Sequence, residues 1–373
     1  MNFGVFRLRK ISDILLLLVP LAILAEILQW GVFPVFILSA LAIIPLAGYI
    51  GESTEVLAAA TGPRVGGLLN ATLGNAAELI ITIIAIREGL LELVKASITG
   101  SILGNVLLVL GMSMLLGGLK NGVQKFDRHQ AGNNAILLVL AVIALMIPSL
   151  LSGYIGLSDS PGVEALSIGV AIIMIALYIL GVIYSLRMDR GPLSSRPSVD
   201  LTPSIEQVNQ LGEFAEPHPS WSIRKSFFFL GLATVGVVIM SELLIGSVEP
   251  VMVGLGISEF FLGIILIPLI GNVAEHLVAV KVAIQNKMNL SVEIATASSL
   301  QIALFVAPVL VFISLLMGNP MQLIFNEVEL LALVAGVLIT ALVSSDGESN
   351  WLEGAGLVAV YLILALTFFL MPV

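Results

Sequence analysis

Two five-residue stretches carry the residues best suited to chemistry: Gly74-Asn75-Ala76-Ala77-Glu78 and Gly271-Asn272-Val273-Ala274-Glu275. Each sets an amide three residues before a carboxylate, a spacing that puts both on one face of a helix. Thr82 extends the first face by a turn. Downstream, Ser101 with Asn105, and Ser298 with Gln301, are spaced to turn hydroxyl and amide oxygens to one side. Two carboxylates with several neutral oxygens suit a hard cation, and calcium takes roughly six to eight such ligands. Magnesium and manganese fit the same donors, whereas sodium ordinarily needs fewer formal charges.

Both acids lie near the middle of apolar runs of about 20 residues, the length that crosses a bilayer's hydrocarbon core. An ionised carboxylate at that depth costs on the order of a few kcal/mol, so it needs a cation, a proton or a basic partner. No Lys or Arg stands centrally in any apolar run; Lys95 and Lys281 are near run ends. The countercharge must then come from outside the protein, as a metal ion or a proton. The two would compete for the same oxygens, which is what an exchanger requires. Glycines and serines also serve simple helix packing, so Glu78 and Glu275 carry the assignment. Asn75, Asn272, Ser101, Ser298 and Gln301 are the expected neutral ligands. His276, next to Glu275, has Leu79 as its counterpart and is read either as a proton relay or gate, or as a hydrogen-bonded helix contact. Glu52, Glu55, Glu242 and Glu249, nearer run ends, are read as vestibule or gating acids that attract cations. Glu26, Glu259 and Glu293 are expected at the membrane interface.

These residues need a membrane scaffold, and composition supplies one. The chain has 373 residues, 58% hydrophobic and only 11% charged, with mean hydropathy +1.09. A soluble globule averages about a quarter charged residues. Eleven apolar segments follow one another, roughly 11–30, 32–58, 66–86, 93–118, 132–152, 163–186, 226–254, 259–284, 291–317, 326–344 and 352–371. The expectation is an all-α polytopic membrane protein with eleven transmembrane helices, the first retained rather than cleaved. With the N-terminus cytoplasmic, 14 of the 16 basic residues fall on the cytoplasmic side, Arg87 and Lys95 being the two outside. The positive-inside rule then puts the C-terminus outside.

The glutamate motifs recur at an offset of 197 residues, and the same offset pairs Glu52 with Glu249, Gly66 with Gly263, Thr99 with Thr296, Ser101 with Ser298 and Leu103 with Leu300. The motif falls in the third and eighth segments. Five segments apart, the second copy enters from the opposite side, giving two inverted-topology repeats of five helices, the layout of secondary transporters with a midplane site. The expected division is an N-terminal helix (1–31), a first repeat (32–186), a cytoplasmic linker (187–225) and a second repeat (226–373). Within the linker, Leu201, Ile205, Val208 and Leu211 have helical spacing, which suits a short amphipathic helix; the segment reads either as a plain connector or as a regulatory, cation-sensing acidic segment carrying Asp189, Asp200, Glu206, Glu213 and Glu216.

Other classes find little support. There is no cysteine and only three histidines, which removes disulfides, thiol chemistry and polyhistidine metal centres. A phosphate loop, paired aspartates and the H-E-x-x-H pattern are absent, so neither ATP drive nor intramembrane hydrolysis is expected, and no cofactor. A cation channel would gather copies of one filter around an axis, whereas this chain carries two inverted copies. Nucleic acid is not an expected partner; the lipid bilayer is, and a homo-oligomer is compatible with it. Short termini suit a prokaryotic plasma membrane.

The run Gly66-Gly67-Leu68-Leu69-Asn70-Ala71-Thr72-Leu73-Gly74-Asn75-Ala76-Ala77-Glu78-Leu79 resembles the calcium/proton exchanger family of the cation/calcium exchanger superfamily. So do Pro268-Leu269-Ile270-Gly271-Asn272-Val273-Ala274-Glu275-His276, Ser101-Ile102-Leu103-Gly104-Asn105 and Ser298-Ser299-Leu300-Gln301-Ile302-Ala303. The resemblance implies Ca2+ movement driven by an opposing H+ gradient. It also implies Glu78 and Glu275 as alternating calcium and proton sites, and the second and seventh helices as inclined gates. Related sodium/calcium exchangers usually carry Ser/Thr-Pro-Glu in the corresponding helices. Asn-x-x-Glu stands here instead, which argues against sodium coupling; a sodium- or manganese-coupled exchanger is the alternative within the class.

Overall fold

The computed structural model describes residues 14–61, 66, 69–70, 72–156, 160–188 and 221–371. The amphipathic stretch Leu201–Leu211, the linker around it, and Arg7, Arg9, Lys10, Arg64, Arg190 and Arg196 lie outside these residues. The helices in chain order are α1 (Leu18–Ile27), α2 (Val32–Thr61), α3 (Ala76–Arg87), α4 (Leu91–Asn121), α5 (Arg128–Ile155), α6 (Pro161–Met188), α7 (Ile223–Leu255), α8 (Glu259–Ile284), α9 (Met288–Leu316), α10 (Glu327–Val343) and α11 (Trp351–Leu370). A two-residue antiparallel ladder joins β1 (Gln124–Lys125) to β2 (Glu348–Ser349).

Eight of these helices are long and apolar enough to cross a membrane: α2, α4, α5, α6, α7, α8, α9 and α11. They match eight of the eleven expected segments. The other three hold shorter helices: α1 has 10 residues, α3 has 12 and α10 has 17. In hydrocarbon a backbone must satisfy its own polar groups, and helices do so within one segment. Apolar side chains such as Ile136, Leu150, Ile173, Leu331 and Leu362 point outward, as on a surface solvated by lipid rather than water.

The expected continuous third helix is broken. Gly74 and Asn75 form a turn, and Asn75, with φ −95° and ψ 15°, stands just before α3. Glu78 therefore sits in the first turn of a half-helix, where the positive end of the helix dipole favours an anion. Its counterpart in α8 is not broken at Gly271–Asn272; there the irregularity comes earlier, as a π-helical segment at Leu262–Leu266. π segments also occur at Gly104–Val109 in α4 and Ile302–Val306 in α9. Their last residues, Val109 and Val306, are related by the 197-residue offset, and such bulges recur at functional sites.

Glycines let the inner helices meet at the backbone. A methyl group at Gly100 of α4 would lie 2.0 Å from Ile264 O of α8, and one at Gly263 of α8 would lie 2.7 Å from Leu93 O of α4. Without hydrophobic drive between helices in lipid, such close approach is what van der Waals packing there requires. Helix ends are capped by polar side chains. Asp127 accepts from His129 N (2.8 Å) and Gln130 N (3.1 Å) at the start of α5. Asn326 with Glu329, and Asn350 with Glu353, form reciprocal capping boxes on α10 and α11.

Candidate functional site

α3 and α8 bring the two glutamates to the centre of the bundle, against the polar faces of α4 and α9. Glu78 is 2% exposed. Its Oε1 accepts from Ser101 Oγ at 2.5 Å and, in a short bond, from Asn272 Nδ2. Its Oε2 has no hydrogen-bond partner. Glu275 is half-buried, and its Oε2 accepts from Ser298 Oγ at 2.9 Å. The serine bonds are repeat mates, each spanning 23 residues.

The motif glycines interlock the two elements. A methyl at Gly271 would come 2.9 Å from Glu78 Cγ, and one at Gly74 would come 3.8 Å from Glu275 Oε1. Gly271 thus leaves room for the Glu78 side chain, whereas the tight contact of a methyl at Gly74 would be with Asn70 O, at 2.6 Å. Asn75 Nδ2 donates to Gln301 Oε1 at 2.8 Å, leaving its buried Oδ1 without a partner. His276 Nε2 lies 3.1 Å from Asn105 Oδ1, across from α8 to α4. The seven expected metal ligands thus form three hydrogen-bonded groups, Glu78 with Ser101 and Asn272, Glu275 with Ser298, and Asn75 with Gln301, while His276 pairs separately with Asn105. Thr82 does not join it, because its hydroxyl donates to Glu78 O (2.7 Å) within its own helix.

Among the described residues, Arg87 pairs with Glu88 and Glu242, Lys95 with Glu92, and Lys125 with Glu348. None reaches Glu78 or Glu275. Among the described residues no group of three or more His, Cys, Asp or Glu side chains is placed to hold a metal ion.

The acids expected at the vestibule divide. Glu52 and Glu249 are exposed and Glu55 is half-buried. Glu242 instead pairs with Arg87 Nη1 at 2.9 Å and, with Glu26, Gln29 and Ser247, lines a cavity of about 310 Å³ between α1, α2 and α7. Glu293, expected at the interface, is 2% exposed inside the bundle. Glu259 caps another helix, accepting from Leu93 N at 2.9 Å at the start of α4. Glu329, outside the acids expected at a site, is fully buried; it accepts from Asn326 N (2.7 Å) and Thr99 Oγ1 (3.2 Å) and has a structural task.

A bundle with eight helices long and apolar enough to cross a membrane is the architecture of an integral membrane protein. Residues 31–187 and 225–370 match the family described as sodium/calcium exchanger protein, and the chain belongs to that family, whose members are transporters rather than enzymes. A Ca2+/H+ antiporter of Synechocystis is 45% identical over 97% of this chain and 98% of its own. The Ca2+/H+ antiporter ChaA of Bacillus subtilis is 43% identical over 95% and 97%. The solved structure of native YfkE superposes with a TM-score of 0.81 at 40% identity, covering 96% of this chain and all of its own.

Proposed function

We propose that this protein is a secondary antiporter that exchanges Ca2+ for H+ by alternating access at a midplane site. Glu78 and Glu275 hold either the metal or protons. Asn75, Asn272, Ser101, Ser298 and Gln301 supply neutral oxygens, and His276 stands beside the site as a proton-coupling group. The observation that carries this reading is a buried carboxylate, Glu78, gripped by donors from both halves of the chain, with one oxygen unclaimed and no basic side chain on it. Relatives named Ca2+/H+ antiporter at 43% and 45% identity over nearly their whole lengths support the choice of ions. Glu52, Glu55 and Glu249 act as vestibule acids, while Glu242 works through its pairing with Arg87.

The layout inferred for this activity is an N-terminal helix, two inverted five-helix repeats and a cytoplasmic linker at 187–225, with eleven crossings. The running directions of α3 and α8 support it. α3 ends beside the start of α4 and α8 ends beside the end of α4, and these points are separated by 31 residues of helix, about 45 Å. The distribution of basic residues supports a cytoplasmic N-terminus, and bacterial relatives support a prokaryotic plasma membrane.

Reconstituted vesicles with an imposed pH gradient test the reading. Calcium added outside should release protons saturably, and Glu78→Gln and Glu275→Gln should each abolish that release. Wild-type rates in either variant would overturn the site. Replacing calcium by manganese, or the proton gradient by a sodium gradient, identifies the coupled ions.

A further inference from the structure

The far ends of the two glutamate helices are fastened in the same way. At the end of α3, Gly89 N donates to Ile86 O (3.1 Å) and Leu90 N to Ala85 O (2.9 Å). At the end of α8, Asn286 N donates to Ala283 O (3.0 Å) and Lys287 N to Val282 O (3.0 Å). Each atom has its mate 197 residues on, and both turns close on a left-handed residue, Gly89 at φ +80° and Asn286 at φ +65°. Each end then takes further donors from the opposite half of the chain. Asn319 Nδ2, just past α9, donates to Ile86 O at 2.9 Å. Gln124 Nε2, just past α4, donates to Ala283 O at 2.9 Å and to Asn286 Oδ1 at 3.0 Å. Asn121 Nδ2 adds bonds of 3.4 Å to Ala283 O and 3.2 Å to Ile284 O.

The last carbonyls of a helix are its orphan acceptors and the negative end of its dipole, so amide donors are natural fasteners there. Ile86 follows Glu78, and Ala283 follows Glu275, by the same interval of eight residues, about 12 Å along a helix. A helix is stiff over that length, so displacement at the fastened end moves the carboxylate.

We propose that Asn319 at one end of the bundle, and Gln124 with Asn121 at the other, are positioning residues for the cation site. They lash α3 to the end of α9 and α8 to the end of α4. The four helices that carry every ligand are thereby one frame, and the spacing between the two carboxylates is kept. The inference rests on the exchanger reading above.

The test is calcium-driven proton release in vesicles holding the full chain, with Asn319→Ala, the isosteric non-donor Asn319→Asp, and the donor-retaining Asn319→Gln. Losing one such bond should raise the half-saturating calcium about fivefold in the Ala and Asp variants. The maximal rate should stay within about twofold of wild type, and Gln should recover part of the affinity. Gln124→Ala should behave alike. A half-saturation within about twofold of wild type in all of them, with only yield or melting temperature reduced, would overturn the proposal; so would a fall in maximal rate alone. If Asn319→Ala does not fold, the Asp variant and Gln124→Ala decide by the same criterion. Wild-type protein that releases no protons on calcium addition would instead defeat the exchanger reading itself.

Discussion

The two glutamate motifs are near copies in sequence and unlike in structure. Around Glu78 the helix is broken, the carboxylate is sealed from solvent, and the amide of the other motif, Asn272, donates to it. Around Glu275 the helix runs on, the residue is only partly buried, and Ser298 from its own half donates to it. The amide that would mirror Asn272, Asn75, turns instead to Gln301. A twofold sequence has therefore settled into one of two unequal arrangements. In an exchanger of the kind proposed, the mirror arrangement, with Asn75 on Glu275 and Asn272 released, is the natural partner state; the present inequality has a counterpart in the sequence, because Gln301, which holds Asn75, has Gly104 as its mate.

Four experiments break or sharpen this comparison. The largest effect should come from Gly271→Ala, whose new methyl would meet Glu78 Cγ at 2.9 Å in the sealed half. Exchange should slow by about tenfold or more, as overpacking at a close contact does; a near-normal rate in vesicles would show that the sealed geometry is not used. Next, Asn272→Ala removes a charge-assisted bond from Glu78, and hydrogen bonds to charged groups are worth about 1.5–3 kcal/mol. It should change the half-saturating calcium about tenfold on one side of the membrane, and Asn75→Ala should act on the other side. Equal effects on both sides would remove the distinction between the halves.

The third experiment is a pH series. Protons and calcium contend for the same oxygens, so acidification raises the half-saturating calcium and alkalinisation lowers it. If both carboxylates give up a proton when calcium binds, the logarithm of half-saturation should fall with a slope of about two per pH unit; if only the half-open Glu275 does so, the slope is about one. The smallest effect belongs to Arg87→Ala. Its ion pair with Glu242 is about half exposed on both partners, and solvent screens such pairs to a small net contribution. Transport and melting temperature should change by less than about twofold and a few degrees.

Much of the site was legible because the chain states it twice. The offset of 197 residues isolated Asn-x-x-Glu and the serine mates from a background of Leu, Ile and Val, and the cost of an acid in hydrocarbon turned them into a functional expectation. Apolar run length found the eight long helices but overextended the third, because one Gly-Asn step does not lower the hydropathy of a run of about 20 residues enough to interrupt it. Glu242 read as a vestibule acid because its partner Arg87 is 155 residues distant in sequence. Glu329 had one local signal, the Asn326-x-x-Glu329 spacing of a capping box, but its second partner, Thr99, lies 230 residues earlier. The side chains of Asn319 and Gln124 look like ordinary loop polars until the carbonyls they cap are placed beside them.

The sequence by itself determined that the protein lives in lipid, that its key acids come in two related copies, and that no Lys or Arg stands centrally in an apolar run beside them. Those follow from local composition and spacing, which act over a single helix length. Only the tertiary structure decided which amide serves which carboxylate, which acids are tied up elsewhere, and that the two halves differ. Those outcomes depend on contacts between distant segments, and a hydrogen bond of three ångströms is blind to how far apart its ends lie along the chain.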